Sequence, residues 1–294
     1  MMIEPWLIMS LITTFICGLS GITSKYALKN VPSSVLVTSS FIIITPISLF
    51  LLIYYIAVRG LVGVELLYVI LGLIAAVLAN LGFFIYFDAL EKGSATIVGS
   101  LTSAYPVIVI VGAIILLGEL LSAIQAFGVS MIILGVVSLV YLHGTSTDSK
   151  NIPRAALVTS ILTLFCWGFW GITLKFVLTG LDIILYLGLS TLVMPPLTLA
   201  FLRTKTGRWG FEMPKKWSVP FIMAIISVEI EQLGYYFETT SVSLGPASLV
   251  FPIIASYPIV VVLLAYAFLK ERISLKEALL IAVVIAGLIV ISVV

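Results

Sequence analysis

Long apolar runs alternate along the chain with short clusters of charged, glycine and proline residues. Each run is long enough to form an α-helix across about 30 Å of hydrocarbon, which takes about 20 residues. The first run has neither a basic leader nor a small-residue cleavage site, so it is interpreted as an uncleaved helix. The pattern predicts ten transmembrane helices, at 6–27, 33–57, 65–87, 94–117, 123–142, 154–176, 182–202, 217–239, 246–269 and 276–294.

Composition supports a membrane protein and narrows its chemistry. Of the 294 residues, 62% are hydrophobic and 10% charged, against about 45–50% and 25% in soluble domains. A net charge of +2 gives no reason to expect a nucleic-acid partner. Cys17 and Cys166 lie inside apolar runs, and His143 is the one histidine. We therefore expect no disulfide, no metal site and no cofactor.

The second half of the chain repeats the first. Segment 18–25 matches segment 168–175 at five of eight positions, and from the third predicted helix onward the offset grows from 150 to 152 residues. We predict two five-helix repeats, 1–142 and 154–294, joined by a linker at 143–153. The matched pairs include Pro46 and Pro196, Asn80 and Gln232, Tyr105 and Tyr257, and Glu119 and Glu271.

An odd number of helices in each repeat has a geometric consequence. The second repeat enters the membrane from the opposite side, so the two halves are inverted. Inverted repeats with proline- and glycine-interrupted helices are the arrangement of many secondary transporters, whose site lies near the bilayer midplane between the halves. The chain is therefore predicted to be an all-α polytopic membrane protein. The inverted repeats also predict that it works by alternating access.

The ends of the fourth and ninth predicted helices share a family pattern. Gly118-Glu119 ends the fourth helix, and Lys270-Glu271-Arg272 stands at the equivalent place, with lysine instead of glycine. A serine and a mid-helix glycine follow each glutamate: Ser122 and Gly135, Ser274 and Gly287. The chain thus resembles the EamA-type transporters of the drug/metabolite transporter superfamily. The resemblance implies a non-enzymatic transporter that moves small organic metabolites, often outward, through a central cavity.

The segments after these two glutamates also predict local structure. Ser122 with Gln125, and Ser274 with Glu277, have the spacing of a capping box at a helix start. We therefore interpret this region as structural.

The eighth predicted helix contains acidic residues within an apolar run. A charged side chain near the bilayer centre costs at least about 2.5–3.5 kcal/mol, so it normally faces protein or a water-filled cavity. Helical spacing separates two polar faces, and we expect neither to contact lipid. One face carries Glu231, Tyr235 and Glu238, and the other carries Glu229, Gln232 and Tyr236.

Glu231 is the strongest candidate for the central chemistry because it is nearest mid-helix. Leaving its carboxylate charged and unpaired is costly, and either a proton or a cationic substrate group relieves that cost. Glu231 could therefore couple transport to protons or bind a substrate amino group. Glu229 is the alternative, since sequence does not show which face points inward. Either acid could instead be a fixed structural group.

A central cavity is expected between the first, third, fourth, sixth, eighth and ninth helices. Aromatic side chains suit such a wall because they combine apolar area with a polar edge. For the tryptophans, interfacial anchoring or packing is the alternative. Besides the eighth-helix residues, the expected lining consists of Asn80, Tyr86, Tyr105, Trp167, Trp170 and Tyr257.

Two questions stay open at the level of sequence. A polytopic enzyme acting on a lipid or prenyl substrate is the alternative function, although no metal or nucleophile motif is present. Orientation is also unsettled. All but two of the fifteen Lys and Arg follow odd-numbered helices, which places the termini outside the cell membrane, whereas relatives usually keep them inside. The substrate is a small molecule of unknown identity, and sequence does not determine the oligomeric state.

Overall fold

The computed structural model describes residues 4–28, 30–93, 95–145, 153–211, 213, 218–269 and 274–293. Within these ranges the chain forms α-helices and no strand. In chain order the helices are α1 Pro5–Ala27, α2 Ser33–Arg59, α3 Leu66–Lys92, α4 Ala95–Thr102, α5 Pro106–Leu117, α6 Ala123–Thr145, α7 Arg154–Val177, α8 Ile183–Thr206, α9 Val219–Leu244, α10 Ala247–Ile254, α11 Tyr257–Leu269 and α12 Leu275–Val293.

These twelve helices form ten membrane-crossing units. Helices α4 and α5 together make the fourth unit, α10 and α11 make the ninth, and each other helix makes one. Of the described helical stretches, six are long and apolar enough to cross a membrane when judged by length and composition alone. The protein is therefore the predicted all-α polytopic fold.

Proline interrupts two of the ten units completely. Proline lacks an N–H and clashes with the preceding turn, so it breaks or kinks a helix. Turns at 103–105 and 255–256 precede Pro106 and Tyr257-Pro258, whereas α2 continues through Pro46. The prediction of one continuous helix at 94–117 and at 246–269 is thus wrong at these turns, because the chain bends before each proline.

The helices pack as an inverted pair of repeats. Helix α1 packs along α9 while its repeat equivalent α7 packs along α3, and α2 pairs with α8 and α6 with α12. A Cβ added at Gly18 would lie 2.5 Å from Val260, and one at Gly168 would lie 2.7 Å from Ile108. These two contacts are equivalent in the two repeats, and both require glycine for the close approach of the helices.

The predicted capping boxes are confirmed at both helix starts. The Ser122 N–H donates to Gln125 Oε1 at 3.0 Å, and the Gln125 N–H donates to Ser122 Oγ at 3.2 Å. Ser274 and Glu277 exchange the same two bonds at 2.7 and 3.3 Å. These bonds satisfy N–H groups that a helix start otherwise leaves free.

One end of the bundle is tied together by several polar contacts. We call it the latch end; it contains the C-termini of α2, α5, α7 and α9. Glu119 accepts from the backbone N–H groups of Ala247 and Ser248 at 2.8 and 2.9 Å, which caps the start of α10. Arg59 forms a 2.7 Å ion pair with Asp182 that joins α2 to α8. The structural interpretation of Glu119 is confirmed; Glu271 lies outside the described residues.

The opposite end, which we call the basic end, contains the C-termini of α1, α3, α6 and α8. Here Asp88 of α3 forms ion pairs with Lys92 and Lys205. Glu91 lies 3.1 Å from the Lys205 ammonium and accepts from the Ser33 hydroxyl at the start of α2. This cluster therefore joins α2, α3 and α8.

Candidate functional site

A cavity lies between the two repeats, walled by α1, α3, α7, α9 and the two helix breaks. We call it the central cavity. Its space, including the part open to solvent, is about 540 Å³, within the usual range for small-molecule sites. All six units expected around it from the sequence contribute. Its lining consists of Cys17, Ser20, Gly21, Ser24, Phe83, Tyr86, Tyr105, Trp167, Trp170, Glu231, Glu238, Ile254 and Tyr257.

The helix breaks place two tyrosines in this cavity. Tyr105 and Tyr257 are equivalent in the two repeats, and each stands immediately before the proline that follows a break. Each break ends one half-helix and begins another, so the tyrosine at that point lies against the cavity rather than along a continuous helix. The duplicated Tyr-Pro pair is therefore the sequence feature that builds these two walls.

The other walls differ between the repeats. Helix α7 supplies Trp167 and Trp170, whereas the equivalent positions on α1 hold the small residues Cys17 and Ser20. On α9, Glu238 occupies the place that corresponds to an aromatic residue of α3. The cavity therefore has one wall of large aromatic rings, one of small side chains and one with carboxylates.

The aromatic rings pack mainly edge to face. The Trp167 ring centroid lies 5.2 Å from those of Phe83 and Tyr86. The Trp170 ring meets Phe251 edge-on at 5.6 Å. Such arrangements are favoured by the negative face and positive edge of each ring. The rings thus hold one another in place and form a preformed wall.

A hydrogen-bonded chain supports Trp170 from behind. The Trp170 Nε1–H donates to the Tyr186 hydroxyl at 3.2 Å, and the hydroxyls of Tyr186 and Tyr235 are 2.6 Å apart. Tyr186 on α8 is fully buried. Sequence analysis missed Tyr186, because its equivalent in the first repeat is Leu36 and no polar pattern marks α8.

A second cavity adjoins the first between α2, α3, α8 and α9. We call it the amide cavity, after Asn80 and Gln232. Its walls contain pairs that are equivalent in the two repeats, so it lies on the pseudo-twofold axis. Glu231 and Phe83 line both cavities, and Glu231 breaks the symmetry because its equivalent is Ala79. The lining consists of Ser40, Ile44, Ala79, Asn80, Phe83, Phe84, Phe87, Ser190, Val228, Glu231, Gln232 and Tyr235.

The two cavity carboxylates have different surroundings. Glu231 is half-buried near the middle of α9, and it lines the central cavity with Ser20, whose hydroxyl donates to the Ser227 carbonyl at 3.1 Å. Glu238 is only 6% exposed. Within the described ranges, no hydrogen bond or ion pair links Glu238 to another residue. A buried carboxylate without a partner is costly, so Glu238 requires a proton or a cation.

No cationic side chain lines either cavity in the described part of the chain. The nearest basic residue along α7 is Lys175, whose ammonium donates to the carbonyl oxygens of Val242 and Gly245 at 2.9 and 2.7 Å. Those bonds cap the C-terminus of α9 at the latch end. Lys175 therefore performs a structural task outside the cavity.

The structure brings most of the expected site residues together. Tyr86, Tyr105, Trp167, Trp170, Tyr257 and Glu231 line the central cavity, while Asn80, Gln232, Tyr235 and again Glu231 line the amide cavity. Tyr236 and Glu229 line neither. Sequence analysis noted Glu238 on the Glu231 face but assigned it no role, and it missed the lining residues Cys17, Ser20, Ser24 and Phe83.

Glu229 lies on an exposed face of α9. Ile222, Ile226 and Leu233, which are spaced along the same face, are 39%, 36% and 49% exposed, and Glu229 is exposed with them. The expectation that neither polar face of this helix contacts lipid is therefore wrong at Glu229, whereas Gln232 on the same face is buried and lines the amide cavity. The reason is that α9 packs mainly against α1 and α2, and Glu229 lies on the side that they leave exposed.

Comparisons with known proteins agree with this architecture. A profile of the EamA-like transporter family matches residues 4–141 and again residues 154–293. A solved structure, titled only as the crystal structure of a protein, superposes with a TM-score of 0.73 at 16% identity, covering 98% of this chain and 96% of that one. At this identity the likeness shows the fold alone. No curated protein matches the chain significantly.

Proposed function

The chain belongs to the EamA-like transporter family, and on this premise we propose that it is a secondary transporter of an ammonium-bearing metabolite, amino acid-like or similar. It is an integral multi-pass membrane protein that transports small molecules. The proposal adds alternating access between repeats 1–142 and 154–294, an outward direction and a location in the cell membrane. The observation that carries it is the carboxylate-bearing cavity between the repeats.

Unequal contacts at the two ends of the bundle support alternating access. At the latch end, Lys175 ties α7 to the C-terminus of α9. Its repeat equivalent at the basic end, Lys25, is exposed and forms no hydrogen bond or ion pair with another described residue. Near the basic end the central cavity reaches Ser24 and Tyr86. We infer a conformation that is closed at the latch end and accessible from the basic end.

Glu231 supplies the coupling in this scheme. Its carboxylate is on the wall shared by the two cavities, near the middle of α9. When the substrate leaves, a proton replaces the lost positive charge; when a cationic group arrives, the proton is released. Both exchanges follow from the cost of an unpaired charge in a low-dielectric site. When the cavity then opens at the latch end and closes at the basic end, the substrate leaves on the other side of the membrane.

Proteoliposomes provide the first test. The full-length protein is reconstituted with candidate amines inside or outside, and the solute recovered is analysed chemically. We expect intact solute to cross in response to a proton gradient. Glu231→Gln keeps the side-chain shape and removes the charge, so this variant should fold normally and lose gradient-driven transport.

Glu229→Gln is the comparison variant on the same helix. Because Glu229 lies outside both cavities, we expect its loss to change transport far less than the loss of Glu231. Normal, pH-dependent transport by Glu231→Gln combined with an inactive Glu229→Gln would exchange the two roles. Recovery of a chemically altered product would instead support the alternative of a membrane enzyme on a lipid or prenyl substrate.

A further inference from the structure

We infer that the central cavity selects an organic cation without an anionic group, and that Glu238 is its counter-ion. This inference rests on the proposed function and narrows its substrate class to ammonium-bearing metabolites that lack a carboxylate, which excludes amino acids themselves. Three independent features point to it: the charge of the lining, the arrangement of aromatic rings and the state of the backbone amides at the helix breaks.

The charge of the lining has one sign. Among the thirteen lining residues the carboxylic acids are Glu231 and Glu238, and there is no Lys, Arg or His. A zwitterion or an anion needs a donor for its carboxylate or phosphate, and this lining offers no charged one. A positive ligand, by contrast, supplies the partner that buried Glu238 lacks.

The aromatic wall favours the same charge. Trp167, Trp170, Tyr105 and Tyr257 surround the space into which Glu238 also faces. Indole and phenol faces attract ammonium groups, and the attraction grows to about 2 kcal/mol or more when the group is desolvated. An aromatic wall with a carboxylate at one edge is therefore complementary to an ammonium group attached to an apolar body.

At the helix breaks, the amides next to the two prolines are already used and do not form an anion site. Free N–H groups at the start of a half-helix can bind carboxylates or phosphates. Pro106 and Pro258 have no N–H, however, and the amides of Val107, Ile108 and Ile259 donate to carbonyls of the preceding turns at 3.0–3.1 Å. These donors are already used, so the breaks do not offer them to a ligand.

The two carboxylates then have separate tasks. Glu231 faces both cavities and shares the central cavity with the Ser20 hydroxyl, which suits a group that gains and loses a proton. Glu238 is more deeply buried, nearer the latch end of α9, and faces the central cavity alone. Glu238 therefore holds the charge of the ligand while Glu231 exchanges its proton.

Binding of a matched set of probes tests this selectivity. The probes are (2-phenylethyl)trimethylammonium, its uncharged tert-butyl isostere, phenylalanine and 3-phenylpropionate, applied to purified full-length protein by isothermal titration calorimetry. We expect the trimethylammonium probe to bind at least about tenfold more tightly than the isostere, which corresponds to about 1.4 kcal/mol, and the anion not to bind. Equal or tighter binding of the isostere, phenylalanine or the anion overturns the inference, as does failure of the cation to bind at millimolar concentration.

Two glutamate variants test whether the Glu238 carboxylate produces the preference for the cation. Glu238→Gln should remove the preference for the cation over its isostere and leave binding of the isostere unchanged. Glu65→Gln makes the same charge change at an exposed position outside the cavity and should retain the preference. Retention of the full preference in Glu238→Gln would overturn the role of Glu238.

A second measurement avoids dependence on the folding of Glu238→Gln. Cys17 lines the same cavity, so in a Cys166→Ala background its thiol reports the local potential. The reaction rate of Cys17 with each reagent is divided by the rate of a free thiol with the same reagent. We expect this relative rate to be at least about tenfold higher for a trimethylammonium methanethiosulfonate than for the sulfonate reagent of similar size. Equal relative rates would overturn the inference. Cation binding without transport would contradict the proposed function instead. Transport of zwitterionic amino acids, with no preference for cations that lack an anionic group, would contradict this inference alone.

Discussion

Individual side chains around α9 differ mainly in how they are paired. Glu238 is buried without a partner among the described residues, Glu231 shares its cavity with the Ser20 hydroxyl, and Glu229 is exposed. Behind them, Tyr186 holds both Trp170 and Tyr235 through its hydroxyl. Buried polar groups that are paired cost little, and those left unpaired cost free energy. The carboxylates of Glu231 and Glu238 can therefore pair with a ligand. The hydroxyls of Tyr186 and Tyr235 are already hydrogen-bonded within the protein.

Removal of the Tyr186 hydroxyl tests how much this hydrogen-bonded chain stabilises the fold. Tyr186→Phe leaves the Trp170 Nε1–H and the Tyr235 hydroxyl without their buried partner. We expect the free energy of unfolding to fall by about 1–3 kcal/mol, measured as a lowered midpoint of thermal unfolding in detergent. Tyr54→Phe, which removes a hydroxyl at a position 45% exposed, is the matched control. Equal midpoints for the two variants would show that the tyrosine chain does not stabilise the fold.

At the scale of helices, the contacts that tie the two ends of the bundle are unequal. Lys175 fixes the end of α9 at the latch end, and Glu119 caps α10 there. At the basic end the equivalent Lys25 makes no such bond within the described part of the chain. Because the repeats are inverted, the same contacts are available at the other end if the halves exchange conformations.

The same change at the two equivalent lysines should have different effects on the equilibrium between the latch-end-closed and latch-end-open states. Lys175→Met removes bonds from a charged donor worth about 1.5–3 kcal/mol, so the latch-end-closed state should lose roughly tenfold or more in population. Labelling of Cys17 by an impermeant reagent from the basic end, in a Cys166→Ala background, should slow accordingly. Lys25→Met should leave it unchanged or faster. Slower labelling in both variants would argue against alternating latches.

At the scale of the molecule, the two ends carry unequal charge. The described basic residues of the latch end are Arg59 and Lys175, and both are paired. The remaining thirteen of the fifteen Lys and Arg follow odd-numbered units, and part of them, including Lys29 and Lys270, lie outside the described residues. The positive-inside rule favours the basic end in the cytoplasm and the termini outside. With this orientation the cavity is accessible from the cytoplasm, as an exporter awaiting substrate requires.

Cysteine labelling in intact cells decides the orientation. In a background without Cys17 and Cys166, Val62→Cys at the latch end and Trp209→Cys at the basic end are both exposed, at 101% and 70%. We expect an impermeant maleimide to label Val62→Cys and to spare Trp209→Cys. The reverse pattern would place the termini inside, as the resemblance to the family implies.

Sequence alone determined the fold class, the duplication, the inversion, the capping boxes and the expectation of a cavity between six of the ten units. These features depend on run length, local spacing and an odd helix count, all of which can be read along the chain. For the same reason the duplicated Tyr-Pro pairs already pointed to Tyr105 and Tyr257 as lining residues.

Tertiary structure alone decided which side of each helix faces the cavities. Helical spacing separated Glu229 from Glu231, but only the packing of helices against α9 leaves Glu229 exposed and places Glu231 and Gln232 at the cavities. The position of Tyr186 behind Trp170 and the bond from Lys175 to the end of α9 likewise depend on contacts between helices far apart in sequence. Periodicity defines faces relative to one another, whereas burial depends on which neighbouring helices cover them.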